Sequence, residues 1–121
     1  MNLNAIDLNQ KFSLFTEHWQ AKVVAKFNNY LVKIVKIKGD FVWHKHDDTD
    51  ELFLVHKGVL RVEFREGSVL VKEGQMFVIP KGVEHITHAD EECEFIMIEP
   101  ETTLNTGDVR DDMTVENPEW I

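Results

Sequence analysis

The sequence predicts an all-β fold, a sandwich or barrel of short antiparallel strands, with a short helix before it and an irregular extension after it. Three observations carry this reading. Brief runs rich in Val, Ile and Phe recur about every ten residues from residue 20 to residue 100, the rhythm of strands joined by tight turns. Glycine-bearing breaks separate them: Lys38-Gly39-Asp40, Lys57-Gly58, Glu66-Gly67, Glu73-Gly74 and Lys81-Gly82. The whole is 121 residues, 43% hydrophobic and 29% charged, the proportions of one soluble domain with one core, so residues 1–121 are expected to form a single domain with its barrel at about 20–100.

Ile6–Phe15 carries apolar residues at 6, 8, 12, 14 and 15, an amphipathic helix pattern with Asp7 near its start. Lys22–Phe27 and Tyr30–Ile37 flank Asn28-Asn29, and asparagine tolerates the positive φ of a tight hairpin. Strands are then expected at Phe41–His46, Glu51–His56, Val59–Phe64, Val69–Lys72, Gln75–Ile79, His85–Thr87 and Glu92–Ile98. Alternation puts Leu60, Val62 and Phe64 on one face of their strand, and Cys93, Phe95 and Met97 on one face of theirs. After Pro100 the rhythm stops. Residues 101–121 read as an extension that packs on the barrel at a few apolar points, with Trp120-Ile121 as a docking anchor.

Charge excludes some partners. Residues 1–89 hold 12 basic and 11 acidic groups, whereas residues 90–121 hold 11 acidic groups and only Arg110. The body is nearly neutral and the C-terminal quarter strongly acidic, so nucleic acid and anionic membrane surfaces are not expected partners. The acidic run reads as a solvated surface. No apolar run approaches the ~20 residues of a membrane span. MNLNAIDLNQ lacks a basic start and an apolar stretch, so no secretory signal is visible. The single cysteine, Cys93, has no internal disulfide partner. A cytoplasmic protein is expected.

Chemistry concentrates in one stretch. In Trp43-His44-Lys45-His46 the two histidines share one face of an extended chain, and a shared metal is the commonest reason for such a pair inside a barrel. Glu51 opens the apolar run Leu52–Val55, where a buried carboxylate is costly without a cation. His85 follows Gly74, Pro80 and Gly82. Three imidazoles and one carboxylate, His44, His46, Glu51 and His85, make a site for one divalent transition metal, with Fe, Mn, Ni, Cu and Zn all compatible. Phe53, Val55 and Thr87 share the inward parity, so a mostly apolar pocket for a small, weakly polar ligand is expected. His18, His56 and His88 lie outside the set, and Asp47-Asp48-Thr49-Asp50 reads as a solvated turn near the mouth. Cys93 reads as a packing residue rather than a nucleophile.

These residues resemble the two motifs of the cupin superfamily. The first runs from Gly39 through His44, His46 and Glu51 to Gly58, the second from Gly74 through Pro80 and Gly82 to His85. The resemblance spans residues 39–85 in its motifs and about 20–100 in its strand rhythm. It departs in the spacing after Gly39 and in Ala89, where the family carries Asn. It implies a double-stranded β-helix, a jelly roll, and the metal set His44, His46, Glu51 and His85. Leu104–Asp108 also resembles a tail of some small cupins. The implied function is that of a metal-dependent enzyme of dioxygenase, isomerase or lyase type, or else of a non-catalytic binder of a small molecule or metal; catalytic residues are not specified. The resemblance also implies a homodimer, and Tyr30–Ile37 is apolar on both faces, so that one face is free to meet a partner unless the N-terminal helix or the tail covers it.

Overall fold

The computed structural model describes residues 3–121. The first helix is short. The Asp7 side chain accepts from the Gln10 N–H at 3.2 Å, and α1 (Leu8–Phe12) ends at Ser13, whose hydroxyl donates back to the Gln10 carbonyl. The expected Ile6–Phe15 helix is therefore confined to its middle, although Phe15 still packs beside Phe12.

β1 (Lys22–Phe27) and β2 (Tyr30–Asp40) form the expected hairpin, with Asn28 at φ 51°, a left-handed conformation asparagine adopts readily. β3 (Glu51–Lys57), β4 (Val59–Phe64), β5 (Gly67–Lys72), β6 (Met76–Ile79), β7 (Ile86–Pro100) and β8 (Glu119–Trp120) follow. β7 organises them. β2 lies antiparallel along one of its edges, and on the other edge β4 pairs with its start and β3 with its second half. β5 extends the β4 arm, β6 the β3 arm, and β1 and β8 continue outside β2. β5 comes against β3 and β6 where the arms fold over one another. This is a jelly-roll sandwich whose sheet is not closed.

Three expected boundaries move. Lys38-Gly39-Asp40 is a bulge and not a break: β2 runs through it, the register slips between Ile37 and Gly39, and Gly39 takes φ 79°. The runs at 85–87 and 92–98 belong to one long β7, because β2 pairs across the polar stretch between them. Phe41–His46 is not a regular strand. Its backbone groups go to separate partners: Phe41 N–H to Thr87, His44 in a two-way bridge with His85, the His46 carbonyl to Gly82, and Lys45 to Asp108.

The main core is the barrel interior, with Val35, Ile37, Phe53, Val55, Leu60, Val62, Val71, Ile79, Ala89, Cys93, Phe95 and Met97 buried together. A second cluster lies on the outer face of the sheet, where Phe12 and Phe15 cover Val24, Ile34 and Ile96, with Leu8, Leu54, Ile98 and Ile121 around them. A register shift in β1 between Val23 and Ala25 accompanies this two-sided burial. The second apolar face of Tyr30–Ile37 is thus covered, in the part around Ile34, by this chain's own helix and tail. The anchor at the C-terminus is Ile121, whose N–H donates to Val23; the Trp120 side chain stays 56% exposed.

Candidate metal centre

The ligand segment owes its shape to what it pairs with. His44 and His85 exchange both backbone hydrogen bonds, at 3.0 and 2.8 Å, which brings their side chains to one end of the barrel. Glu51 opens β3 on the inward face, in line with buried Phe53 and Val55. His44, His46, Glu51 and His85 are 1–7% exposed, and one ligand atom from each lies within 4.8 Å of all the others. All four residues singled out from the sequence therefore meet at one place.

The side chains are oriented for a central occupant. His44 Nδ1 donates to the Val42 carbonyl at 2.8 Å, and His85 Nδ1 to the Val83 carbonyl at 2.9 Å. This fixes the tautomer, leaves Nε2 with its lone pair, and holds each ring in place. His46 Nε2 stands 3.0 Å and His85 Nε2 3.5 Å from Glu51 Oε1, yet all three buried atoms lack a partner at hydrogen-bond geometry. They aim at a common point more than at each other. Buried polar atoms left so are costly, and a divalent ion satisfies the whole group at once. The donor set suits the metal that the resemblance implies.

Electrostatics agree. Burial, helped by neighbouring His85, drives the His44 imidazole down to about 4, so the neutral, metal-binding form prevails at neutral pH. Burial acts to raise Glu51, but His46, His85 and Glu99 beside it outweigh that and hold the carboxyl well below the usual range. Glu99, wholly buried, is held well above that range by burial and by the charge on Glu51, against the opposing pull of Lys33.

Sequence reasoning does not single out Lys33 and Glu99. Lys33 Nζ donates to Glu99 Oε1 at 2.8 Å, and both side chains are almost fully buried. Lys33 shares the inward face of Val35 and Ile37, and Glu99 that of Phe95 and Met97, a signal that can be read only once the inward face of each strand is known. A cavity of about 50 Å³ lies against the site, lined by His44, Glu51 and His85 and by Lys33, Trp19, Phe41, Phe53, Thr87, Phe95 and Met97. Trp19 and Phe41 stack at 5.0 Å, and Phe41 meets His44 edge-on. The expected apolar lining is present, with a buried cation in it that was not expected.

The C-terminal segment completes the walls through Asn105, Val115 and Pro118. Lys45 N–H donates to Asp108 Oδ1 and Asp108 N–H to the Lys45 carbonyl, each at 3.1 Å. Gly107 takes φ 58°; a Cβ there would overlap the Lys45 carbonyl, 2.9 Å from its carbon, and stand 3.1 Å from His44 Cδ2. Thr106 is fully buried, its hydroxyl 2.7 Å from that of Thr114. Asn105 staples the same loop, donating to Met113 and accepting from Val115.

The remaining histidines stand apart from the cluster. His18 pairs with Glu92 at 2.7 Å. His56 stacks on Phe12 and meets Asn9 Oδ1 at 2.8 Å, tying α1 to β3. His88 lies between Asp40 and Asp90, and hydrogen bonding to Asp90 raises its imidazole above the ordinary value, against some burial. Trp43 points away and lies under the Arg65 guanidinium. Asp47 and Asp48 are exposed, and Asp50 caps Lys81 N–H. Cys93 is buried and its thiol pushed up to about 12 by burial and by Glu94 and Glu73, as suits a packing residue. No helix among the described residues is long and apolar enough to cross a membrane.

Comparison with known proteins bears on this site. A family model described as the cupin domain matches residues 31–99, a stretch holding all four clustered residues. The uncharacterised protein YdbB of Bacillus subtilis (strain 168) is 34% identical over 67 residues, 54% of this chain and 59% of that protein, so the match spans less than two thirds of that relative's length. A crystal structure of a cupin-2 domain containing protein from Shewanella frigidimarina NCIMB 400 shares 52% identity, covering 78% of this chain and 93% of that one, with a TM-score of 0.78. Protein NMB1881 from Neisseria meningitidis shares 31%, covering 80% and 99%, with a TM-score of 0.73.

Proposed function

We propose, from the premise that this chain belongs to the cupin domain family, that it binds one divalent transition metal through His44, His46, Glu51 and His85 and acts as a metal-dependent enzyme of dioxygenase or isomerase type on a small molecule. The observation that carries this is the set of buried ligand atoms without hydrogen-bond partners, aimed at one point beside an apolar cavity. The metal would supply Lewis acidity or oxygen activation. The chain's own residues supply the rest. Val42 and Val83 carbonyls hold two imidazoles in the binding tautomer, Glu51 offsets part of the ion's charge, and Phe41, Phe53, Phe95 and Met97 exclude water and receive an apolar body. Glu99, behind the cavity wall, holds the Lys33 ammonium at 2.8 Å.

Elemental analysis of purified protein tests the first half: one divalent ion per chain is expected, and most of it lost in His46→Ala. Oxygen uptake against small phenols and diketones tests the second. The small volume of the cavity and its C-terminal wall favour a second reading, a protein that holds a metal or small molecule without turnover. Tight stoichiometric binding with no metal-dependent turnover would select it.

A homodimer fits the outer face of the sheet, where Met76 and Val78 on edge strand β6 are 58% and 47% exposed and Leu52 and Ile98 are half-buried beside Val78. Light scattering is expected to give about twice the 14.1 kDa chain mass; the single-chain mass at micromolar concentration would reject pairing.

A further inference from the structure

We propose that the metal-loaded cavity takes a compact organic monoanion, a carboxylate or enolate with an apolar body, whose charged oxygen is received beside the Lys33 ammonium. This rests on the metal reading above and adds a ligand class to it.

The argument is one of charge inside a closed space. Two of the three imidazoles have Nδ1–H committed to a carbonyl, and a ligating imidazole is neutral. A divalent ion brings +2 and Glu51 brings −1. The Lys33–Glu99 pair adds zero if both are ionised and +1 if Glu99 keeps its proton. The sum is +1 or +2, so it is positive for either state of Glu99. These groups are almost entirely removed from water, with Lys33 4% and Glu99 0% exposed. Uncompensated charge in such a place is costly. A neutral ligand leaves that cost standing, whereas a monoanion removes it.

Lys33 has the means to receive the anion. An ammonium carries three donors, and one of them meets Glu99 Oε1. Lys33 is the only lysine or arginine among the residues lining the cavity. Apart from Glu51 of the metal set and Thr87, the lining on its strand and those facing it is apolar: Val35 and Ile37 on β2, Phe53 on β3, Phe95 and Met97 on β7. The cavity therefore offers a cationic corner and a greasy wall, which suits a charged head on an apolar body. The volume of about 50 Å³ restricts the occupant to a compact one, since one water needs ~10–15 Å³ on this scale.

The test uses the full chain loaded with cobalt(II), and isobutyrate and isobutyramide as probes of equal shape and different charge. Calorimetric titration at pH 7 is expected to give at least tenfold tighter binding of isobutyrate. Lys33→Met is expected to weaken isobutyrate at least tenfold while cobalt stays at one per chain. Equal affinity for the two probes, or an unchanged isobutyrate affinity in Lys33→Met, overturns the proposal. If Lys33→Met does not fold, the two probes on the wild-type chain decide alone. Cobalt near zero in the wild-type chain brings down the metal reading and this one with it; full cobalt with no charge preference brings down this one only.

Discussion

Replacing Gly107 by Ala tests whether the C-terminal segment positions the metal ligands. Two costs separate cleanly. The first is conformational: a residue with a Cβ at φ 58° pays about 1–2 kcal/mol for the left-handed backbone. The second is steric. The new methyl overlaps the Lys45 carbonyl and presses on His44 Cδ2, so the loop must lift. Lifting it breaks the two hydrogen bonds between Lys45 and Asp108, at about 0.5–1.5 kcal/mol each. Gly107→Ala is then expected to cost about 2–5 kcal/mol in all. Gly74→Ala is the control, because Gly74 has φ 77° with nothing within 4 Å of its would-be Cβ and so bears the first cost alone. Urea denaturation of the metal-free variants measures the difference directly. Lys45 sits between two candidate ligands, so Gly107→Ala is also expected to lower cobalt affinity by tenfold or more, while Gly74→Ala leaves it unchanged. If the two variants lose equal stability and keep equal affinity, the tail does not position the site.

Three further outcomes are expected. His44 has its folded pKa lowered from 6.5 to about 4, so the unfolded chain takes up a proton that the folded one refuses; metal-free protein holds this contribution in full above pH 6.5 and loses up to about 3 kcal/mol as pH falls through 4, which His44→Gln should flatten in denaturation midpoints. A bound ion excludes the same protons, so chelation should lower Tm more at pH 7.5 than at pH 4.5, and an equal effect at both would separate the ion from these histidines. Phe12→Ala removes a ring 2% exposed and stacked on His56, and should cost about 3–5 kcal/mol by chemical denaturation. Cys93, buried with its thiol pushed to about 12, should resist a disulfide reagent at pH 8 until the chain unfolds; prompt labelling of native protein would contradict its packing role.

The four clustered residues were legible because their signal is local: a two-residue period, a carboxylate in an apolar run, and glycines and proline before a histidine. The hairpin at Asn28 was legible for the same reason. Lys33 and Glu99 were not, since each looks like the polar member of an ordinary strand until the register across β2 and β7 is known. The continuity of β7 was hidden by its acidic middle, where Asp90, Glu91 and Glu92 are exposed. The segment 41–46 looked like a strand because strand propensity says nothing about whether one continuous partner exists. Its partners are Gly82, His85 and Thr87 from one short stretch and Asp108 from the C-terminal segment.

The dependence of so much pairing on β7 has a consequence during synthesis. β2, β3 and β4 all await a strand that ends at residue 100, and the hairpins available before then are marginal on their own. All four clustered residues, 44 to 85, leave the ribosome ahead of it. A nascent chain at that stage offers imidazoles and a carboxylate with no imposed geometry, and it ranks ions by intrinsic affinity, with copper ahead of iron and manganese. Selectivity begins only when β7 docks and fixes His85 opposite His44. The residues after His85 add nothing to the cluster, yet their docking is what gives it a shape.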